Sequence, residues 1–541
     1  MIKRLYHWFD RNILDIGREM RLSYLPPLMV YFAAGISGLT AIVGTFFVKE
    51  YLGLSAEFLA GLGFWAGIPW VLKMPLGHLV DLIWRFKSGL VWLGATLIAT
   101  SLCIMLALLA HPASMGRIMP LEAWFVLSVL LAPVGYVIQD VVADAMTVEA
   151  VPRLDTEGQP FPADKLRLMH TTMQTLGRVA IVGGGILVAL LNILMFSGVE
   201  HMTEAVKVQV YIRIYQVALL IPLVSVAGVT LGGVLKIREA RRLRRLGLSW
   251  KQAWATIQVQ EERPAVNWWI LGGSLVFVVF TLTMGLGNLP YNQEIIFFGS
   301  LSIVLFLITR LVQALEPHAR GVLVGTAIII FVYRAIPTPG PGSTWWMIDK
   351  LNFDQQFLSV LSLISSSLAL GGMFLFRRFM AERSIAYVVG FLTIASTLLS
   401  LPIIGLYYGM HHWTAAHTGG IVDARFIALV DTALESPLGQ VAMIPMLAWI
   451  ANSAPANLKA TFFAVMASFT NLALSLSQLG TKYLNQIFIV TREVKAHDTG
   501  AILVAANYRE LGALLILVSI IGLALPFAAI LLVKSLGWRS A

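Results

Sequence analysis

The stretch "VIQDVVADAMTVEAVP", residues 137–152, makes two demands at once. Its apolar residues continue a run that begins at residue 121, so it reads as the end of a membrane helix, yet it carries Asp140, Asp144 and Glu149. A charged side chain at the bilayer centre costs about 2.5–3.5 kcal/mol or more, so an intramembrane carboxylate normally faces a partner or an aqueous cavity. The stretch therefore asks for a bundle of helices that encloses charge, and a single anchor would not serve.

The rest of the chain supplies such a bundle. Of its 541 residues 58% are hydrophobic and 13% charged, against about 25% charged in soluble domains. Runs of about 20 apolar residues, enough to cross about 30 Å of hydrocarbon, fall at 22–48, 55–82, 88–110, 121–149, 168–196 and 209–236. A second group falls at 266–288, 292–315, 318–338, 354–376, 384–409, 421–449, 457–488 and 505–535, about fourteen helices in all. The leader "MIKRLYHWFDRNILDIGREMR" is basic and amphipathic, without the apolar core and small-residue cleavage site of a signal peptide. Cys103 is the only cysteine, which excludes an intrachain disulfide and a cysteine metal cluster.

The net charge of +10 is a topology signal, because the cations sit in short segments between apolar runs. Lys3, Arg4, Arg11, Arg18 and Arg21, then Arg85 and Lys87, then Arg153, Lys165 and Arg167 all fall on one side. Arg377, Arg378, Arg383, Lys534 and Arg539 join them, whereas "HPASMGRIMP" and "GMHHWTAAHTGG" on the other side are poor in cations. Both termini are expected in the cytoplasm, in a bacterial inner membrane, and no nucleic-acid footprint is read from the charge. The segment "KIREARRLRRLGLSWKQAWATIQVQEERP" (236–264) reads either as a helix on the anionic inner leaflet or as a solvated linker.

That segment divides the chain into six helices and eight. An all-α major facilitator arrangement has two six-helix halves, so one pair is extra, and the pair joined by "GNLPYNQE" is the natural insertion. The expected organisation is a first half at 1–236, a basic linker at 237–265, an inserted hairpin at 266–315 and a second half at 316–541.

Charges at matched depth mark the candidate site. Lys73 lies eight residues before Asp81, and Asp140 nine before Glu149, on helices that both descend toward the cytoplasm. At 1.5 Å per residue each upper charge stands roughly 12–14 Å above the inner face. Arg178 lies about ten residues into the climbing fifth helix, at a similar depth. Asp144 stacks one turn below Asp140, and Asp81 and Glu149 end their helices near Arg85 and Lys87. One reading is that Lys73, Asp140 and Arg178 bind an anionic solute or a proton while Asp81, Arg85, Asp144 and Glu149 latch a cytoplasmic gate. The other is that all of them are internal salt bridges of one rigid half. In the second half Asp431 and Glu435 are four apart near the middle of their helix, and Arg334 reaches a depth that permits it to pair with either. "GGGIL" at 183–187 lacks the Lys-Ser/Thr of a phosphate loop and reads as close helix packing. The adjacent His411 and His412 lack nearby carboxylates, and no metal, cofactor or enzyme active site is expected.

These residues resemble the folate-biopterin transporter family of the major facilitator superfamily. Lys73, Gly77 and Asp81 keep the spacing of the family's second helix, with the proline displaced to Pro75. Asp140, Asp144, Ala145 and Glu149 match its fourth-helix pattern. "YRAIPTPGPGSTWWMIDKLNFDQQFLSVLSLISSSLALGGMFLFRRF", with Pro337, is similar to its seventh and eighth core helices. "MIPMLAWIANSAPANLKATFFAVMASFTNLALSLSQLG", with Pro445, Pro455, Phe463, Ala464, Ser468 and Asn471, is similar to its tenth to eleventh region. The family usually has an acidic residue where this chain has Leu458 or Lys459. The resemblance covers most of the chain except 237–315, and it implies alternating-access transport of a pteridine-like solute, folate or biopterin, in symport with protons. The leading reading places Lys73, Asp140, Arg178, Arg334, Asp431 and Glu435 so that they line or flank a central site. The alternatives are a transporter of another small organic anion or amphipathic solute, and a membrane scaffold or sensor that moves nothing.

Overall fold

The computed structural model describes residues 20–52, 54–71, 73–83, 86–151, 161–199, 202–257, 268–286, 290–313, 317–376, 379, 383–439, 441, 459–495 and 502–540. The first half opens with α1 (Leu25–Gly35), joined by a 3-10 turn at Ile36–Thr40 to α2 (Ala41–Tyr51). It continues through α3 (Ala56–Val71), α4 (Lys73–Leu82), α5 (Lys87–Ala110), the short α6 (Pro112–Gly116), α7 (Leu121–Ala150), α8 (Ala163–Met195), α9 (Glu204–Ala218) and α10 (Leu220–Arg245). Then come α11 (Trp250–Ile257) and the hairpin of α12 (Trp268–Leu286) and α13 (Asn292–Val312). The second half holds α14 (Pro317–Arg334), α15 (Pro341–Leu351), α16 (Gln355–Leu375), α17 (Ile385–Tyr407), the short α18 (Met410–His417), α19 (Ala424–Glu435), α20 (Lys459–Ile487) and α21 (Leu511–Ser535). A small antiparallel ribbon, β1 (Val494–Lys495) with β2 (Ile502–Val504), lies in the loop before α21 and is, among the described residues, the one element outside the all-α expectation.

Local chemistry sets many of the helix starts. Pro26 and Pro27 occupy the first turn of α1, where an amide hydrogen would have no partner. Asp354, Ser384 and Asp423 cap α16, α17 and α19 by accepting the amides of Phe357, Tyr387 and Phe426 at 2.7, 3.3 and 2.8 Å. The sixth apolar run was expected to end near 236, but α10 runs on to Arg245, because "REARRLRR" is made of good helix formers. Gly247, at φ +95, then closes the helix, with the Leu248 amide donating back to Leu243 O at 3.3 Å. α11 folds back onto this extension and buries Ala253 against Ala240 and Leu243, so its apolar side is turned to protein.

Among the described residues nine stretches are long and apolar enough to cross a membrane unaided. Two other stretches are marked by proline. Pro75 has no amide hydrogen to offer Val71 O, four residues earlier. Pro337 and Pro339, with Gly340 at φ +77, separate α14 from α15. Backbone groups freed inside a membrane must be satisfied by protein, and α20 bonds to backbone at both places. Ser468 Oγ donates to Val71 O at 2.9 Å and Asn471 Nδ2 to Trp70 O at 3.0 Å. One and a half turns farther along, Ser477 Oγ donates to Ile336 O at 2.6 Å, Thr481 Oγ1 accepts from Thr338 N at 2.9 Å, and Asn485 Nδ2 donates to Pro339 O at 3.2 Å.

The halves meet along two seams, α20 against α3 and α4, and α8 against α16. The glycines of "GGGIL" allow close packing on two sides. A Cβ on Gly184 would stand 2.8 Å from the Gly35 carbonyl carbon of α1, within the first half, and one on Gly185 would stand 3.1 Å from Ser366 Oγ of α16, across the seam. The α12–α13 hairpin lies over the other seam, with Phe277, Ile296 and Phe297 packed among Phe64 and Ile68 of α3 and Leu472 and Leu479 of α20.

Candidate functional site

Lys73 lies on α4, facing α7. Its ammonium donates to Asp140 Oδ2 at 2.6 Å and lies 2.7 Å from Asp144 Oδ2. Tyr31 of α1 donates its hydroxyl to the other Asp144 oxygen at 2.6 Å. Arg178 of α8 acts through space on Asp140 and Tyr31. Three of the residues expected in one layer, Lys73, Asp140 and Arg178, are thus brought together, and Asp144 joins them. Two cations and two carboxylates balance, which is what a low-dielectric interior requires. The group is reachable, since the Asp144 side chain is 42% exposed while Asp140 is 16% exposed.

Glu149 stands apart from this cluster. Its two oxygens take Lys87 at 2.5 Å and Lys236 at 2.7 Å, so it ties α7 to α5 and α10 within the first half. Asp81 lies on α4, and its side chain and all of Arg85 fall outside the described residues.

In the second half Arg334 ends α14 and donates Nε to Thr470 O of α20 at 3.2 Å. Asp431 is buried in α19, and its Oδ1 has no hydrogen-bond partner among the described residues. Glu435, one turn on and exposed, acts electrostatically on Asp431 and on Tyr333. No ion pair joins these carboxylates to Arg334, or to the Lys73 cluster, among the described residues.

The contacts that close one half against the other lie at the face opposite the basic loops. Lys49, at the end of α2, meets Asp349 of α15 at 2.5 Å, and Tyr508 donates to the second Asp349 oxygen at 2.5 Å. Arg492 is buried; it donates to Lys49 O at 2.9 Å and Leu54 O at 2.6 Å and lies over the Trp345 ring at 4.6 Å. Burial holds its guanidinium down to about 10, so it stays charged at neutral pH, and burial together with Asp349 pushes the Tyr508 phenol up. Gln486 Nε2 adds a bond to Glu57 at 2.5 Å and Gln355 Nε2 one to Tyr211 at 2.8 Å. The sequence reading missed Lys49, Asp349 and Arg492 because charges at helix ends are ordinary.

Two helical halves that meet along two seams and enclose paired charge define a membrane transporter of the major facilitator type. Solved structures share the fold. A peptide-transporter (POT) family member in complex with 5-aminolevulinic acid gives a TM-score of 0.59 at 12% identity, covering 95% of this chain and 96% of that one. A POT peptide transporter in complex with sulfate gives 0.57 at 15% identity, with 95% of each chain covered. The chain belongs to the BT1 family, whose profile matches residues 34–536. A "Folate-biopterin transporter" from Synechocystis sp. is 22% identical over 468 residues, 86% of this chain and 75% of that protein.

Proposed function

We propose that this transporter moves a pteridine-like anion, folate or biopterin, in symport with protons, by alternating access between the halves at 1–236 and 316–541, with the hairpin at 266–315 as an insertion. The observation that carries this reading is the Lys73 cluster in a chain related to a folate-biopterin transporter. A proton on Asp140 or Asp144 releases Lys73 from one of its two carboxylates, and the freed ammonium then takes a carboxylate of the solute. An anion and a proton thereby bind together, which is the elementary requirement of symport. Asp431, buried with an unpartnered oxygen beside Glu435, is the corresponding proton acceptor of the second half. Arg334 completes the central set from α14, and Asp81, Arg85 and Glu149 serve the cytoplasmic side. The basic loops favour a bacterial inner membrane with both termini inside. The test is uptake of labelled folate and of biopterin into vesicles holding the purified protein. Uptake should rise severalfold under an inward proton gradient, and no gradient-dependent movement of either solute removes the substrate assignment.

A further inference from the structure

The two α20 side chains that bond the Trp70 and Val71 carbonyls do more than satisfy a helix. Lys73 is two residues beyond Val71 and three beyond Trp70, the carbonyls that Ser468 and Asn471 hold. Ser468 is fully buried, and both residues belong to the second half, whereas Asp140, Asp144 and Tyr31 all belong to the first. The backbone that presents Lys73 is therefore gripped from across the seam, while its carboxylate partners are not.

We infer that Ser468 and Asn471 are positioning residues that set Lys73 against Asp140 and Asp144 and so tie the charge state of the first half to the seam with the second. Pro75 offers no amide hydrogen to Val71 O, so that carbonyl is free to be held from outside, and Asn471 adds a bond to the neighbouring Trp70 O. The two donors stand at 468 and 471, three apart on one face of α20. Functional geometry of this kind has to be kept within about 0.5 Å by its supporting groups, and the Lys73 contacts of 2.6 and 2.7 Å leave little slack. Movement along the α20 seam would shift the Trp70–Val71 carbonyls and with them the ammonium. Conversely, a proton or solute that loosens Lys73 from its carboxylates would relax the strand of backbone that α20 grips.

The transport consequence rests on the function proposed above, so the test reads Lys73 directly as well. The full-length protein in vesicles is treated with a membrane-permeant amine-acylating reagent, and modification of Lys73 is counted by mass spectrometry. An ammonium held between two carboxylates resists acylation. Ser468→Ala and Asn471→Leu should each raise Lys73 modification, on the order of tenfold for loss of one charge-assisted contact. Ser477→Ala, which removes the α20 bond to Ile336 O, should leave it unchanged. Equal modification in all four proteins, or the same rise in Ser477→Ala, overturns the assignment. Ser468→Ala deletes one atom group and guards against a fold that fails in Asn471→Leu. In parallel, the pH profile of uptake should shift in Ser468→Ala and Asn471→Leu and not in Ser477→Ala. If the wild type moves neither folate nor biopterin, the function assignment fails while the acylation result still decides the positioning role.

Discussion

Removing the Lys73 ammonium should destabilise the protein strongly, and removing Asp140 with it should restore most of the loss. Lys73 and Asp140 are 19% and 16% exposed and stand 2.6 Å apart. Truncating one partner of such a pair strands a charge and costs about 3–5 kcal/mol. Asp144, 42% exposed and still bonded by Tyr31, remains partly solvated and adds little. Lys73→Met and Asp140→Asn are each therefore placed at the low end, about 3 kcal/mol. The double variant removes one cation and one carboxylate together, so no net charge is stranded. Its loss should fall short of the 6 kcal/mol sum by about 2–3 kcal/mol. Reversible unfolding by detergent titration in mixed micelles, followed by tryptophan fluorescence on the four proteins, measures the cycle. Additivity within about 0.5 kcal/mol would refute the coupling. Uptake separates the two readings of the cluster: a stable double variant that still transports makes these residues internal salt bridges, and one that is stable and inert makes them the binding site.

Spin labels at the exposed Phe58 and Ile487 report opening at the face opposite the basic loops. Lys49→Ala should move the population toward longer distances about fivefold, for a coupling of about 1 kcal/mol, and an unchanged distance distribution would show that the Lys49–Asp349 pair is no latch. Gly184→Leu should destabilise by about 1–3 kcal/mol through overpacking against Gly35. Gly183→Ala meets nothing within 4 Å and should be neutral or slightly stabilising in a thermal melt; equal losses in both would contradict the packing. Burial and the neighbouring His412 hold the His411 imidazole below its usual 6.5. The unfolded chain then takes up this proton first, so His411's contribution to stability is complete above pH 6.5 and is lost as pH falls below it. Melting temperatures at pH 7.5 and 5.5 should fall further apart in the wild type than in His411→Gln, and parallel curves would exclude the effect.

The sequence by itself determined the class of the molecule, the number and order of its membrane runs, and the depth of its charges. Those properties follow from hydrophobic length and a rise of 1.5 Å per residue, which need no knowledge of neighbours. Asp140 and Lys73 could be put in one layer on that basis, and "GGGIL" could be read as packing. Depth says nothing about azimuth, so the same reasoning allowed Arg334 to face Asp431, whereas Arg334 bonds Thr470 O instead. It grouped Asp144 with Glu149 as a lower layer, whereas Asp144 shares Lys73 and Tyr31 with the upper one and Glu149 turns to Lys87 and Lys236. Ser468 and Asn471 were visible only as parts of a family pattern, because their partners are backbone carbonyls some 400 residues away. Tertiary structure decided these matters because hydrogen bonds and ion pairs are short-ranged and directional. Which helix face meets which neighbour is fixed only when the whole bundle has packed.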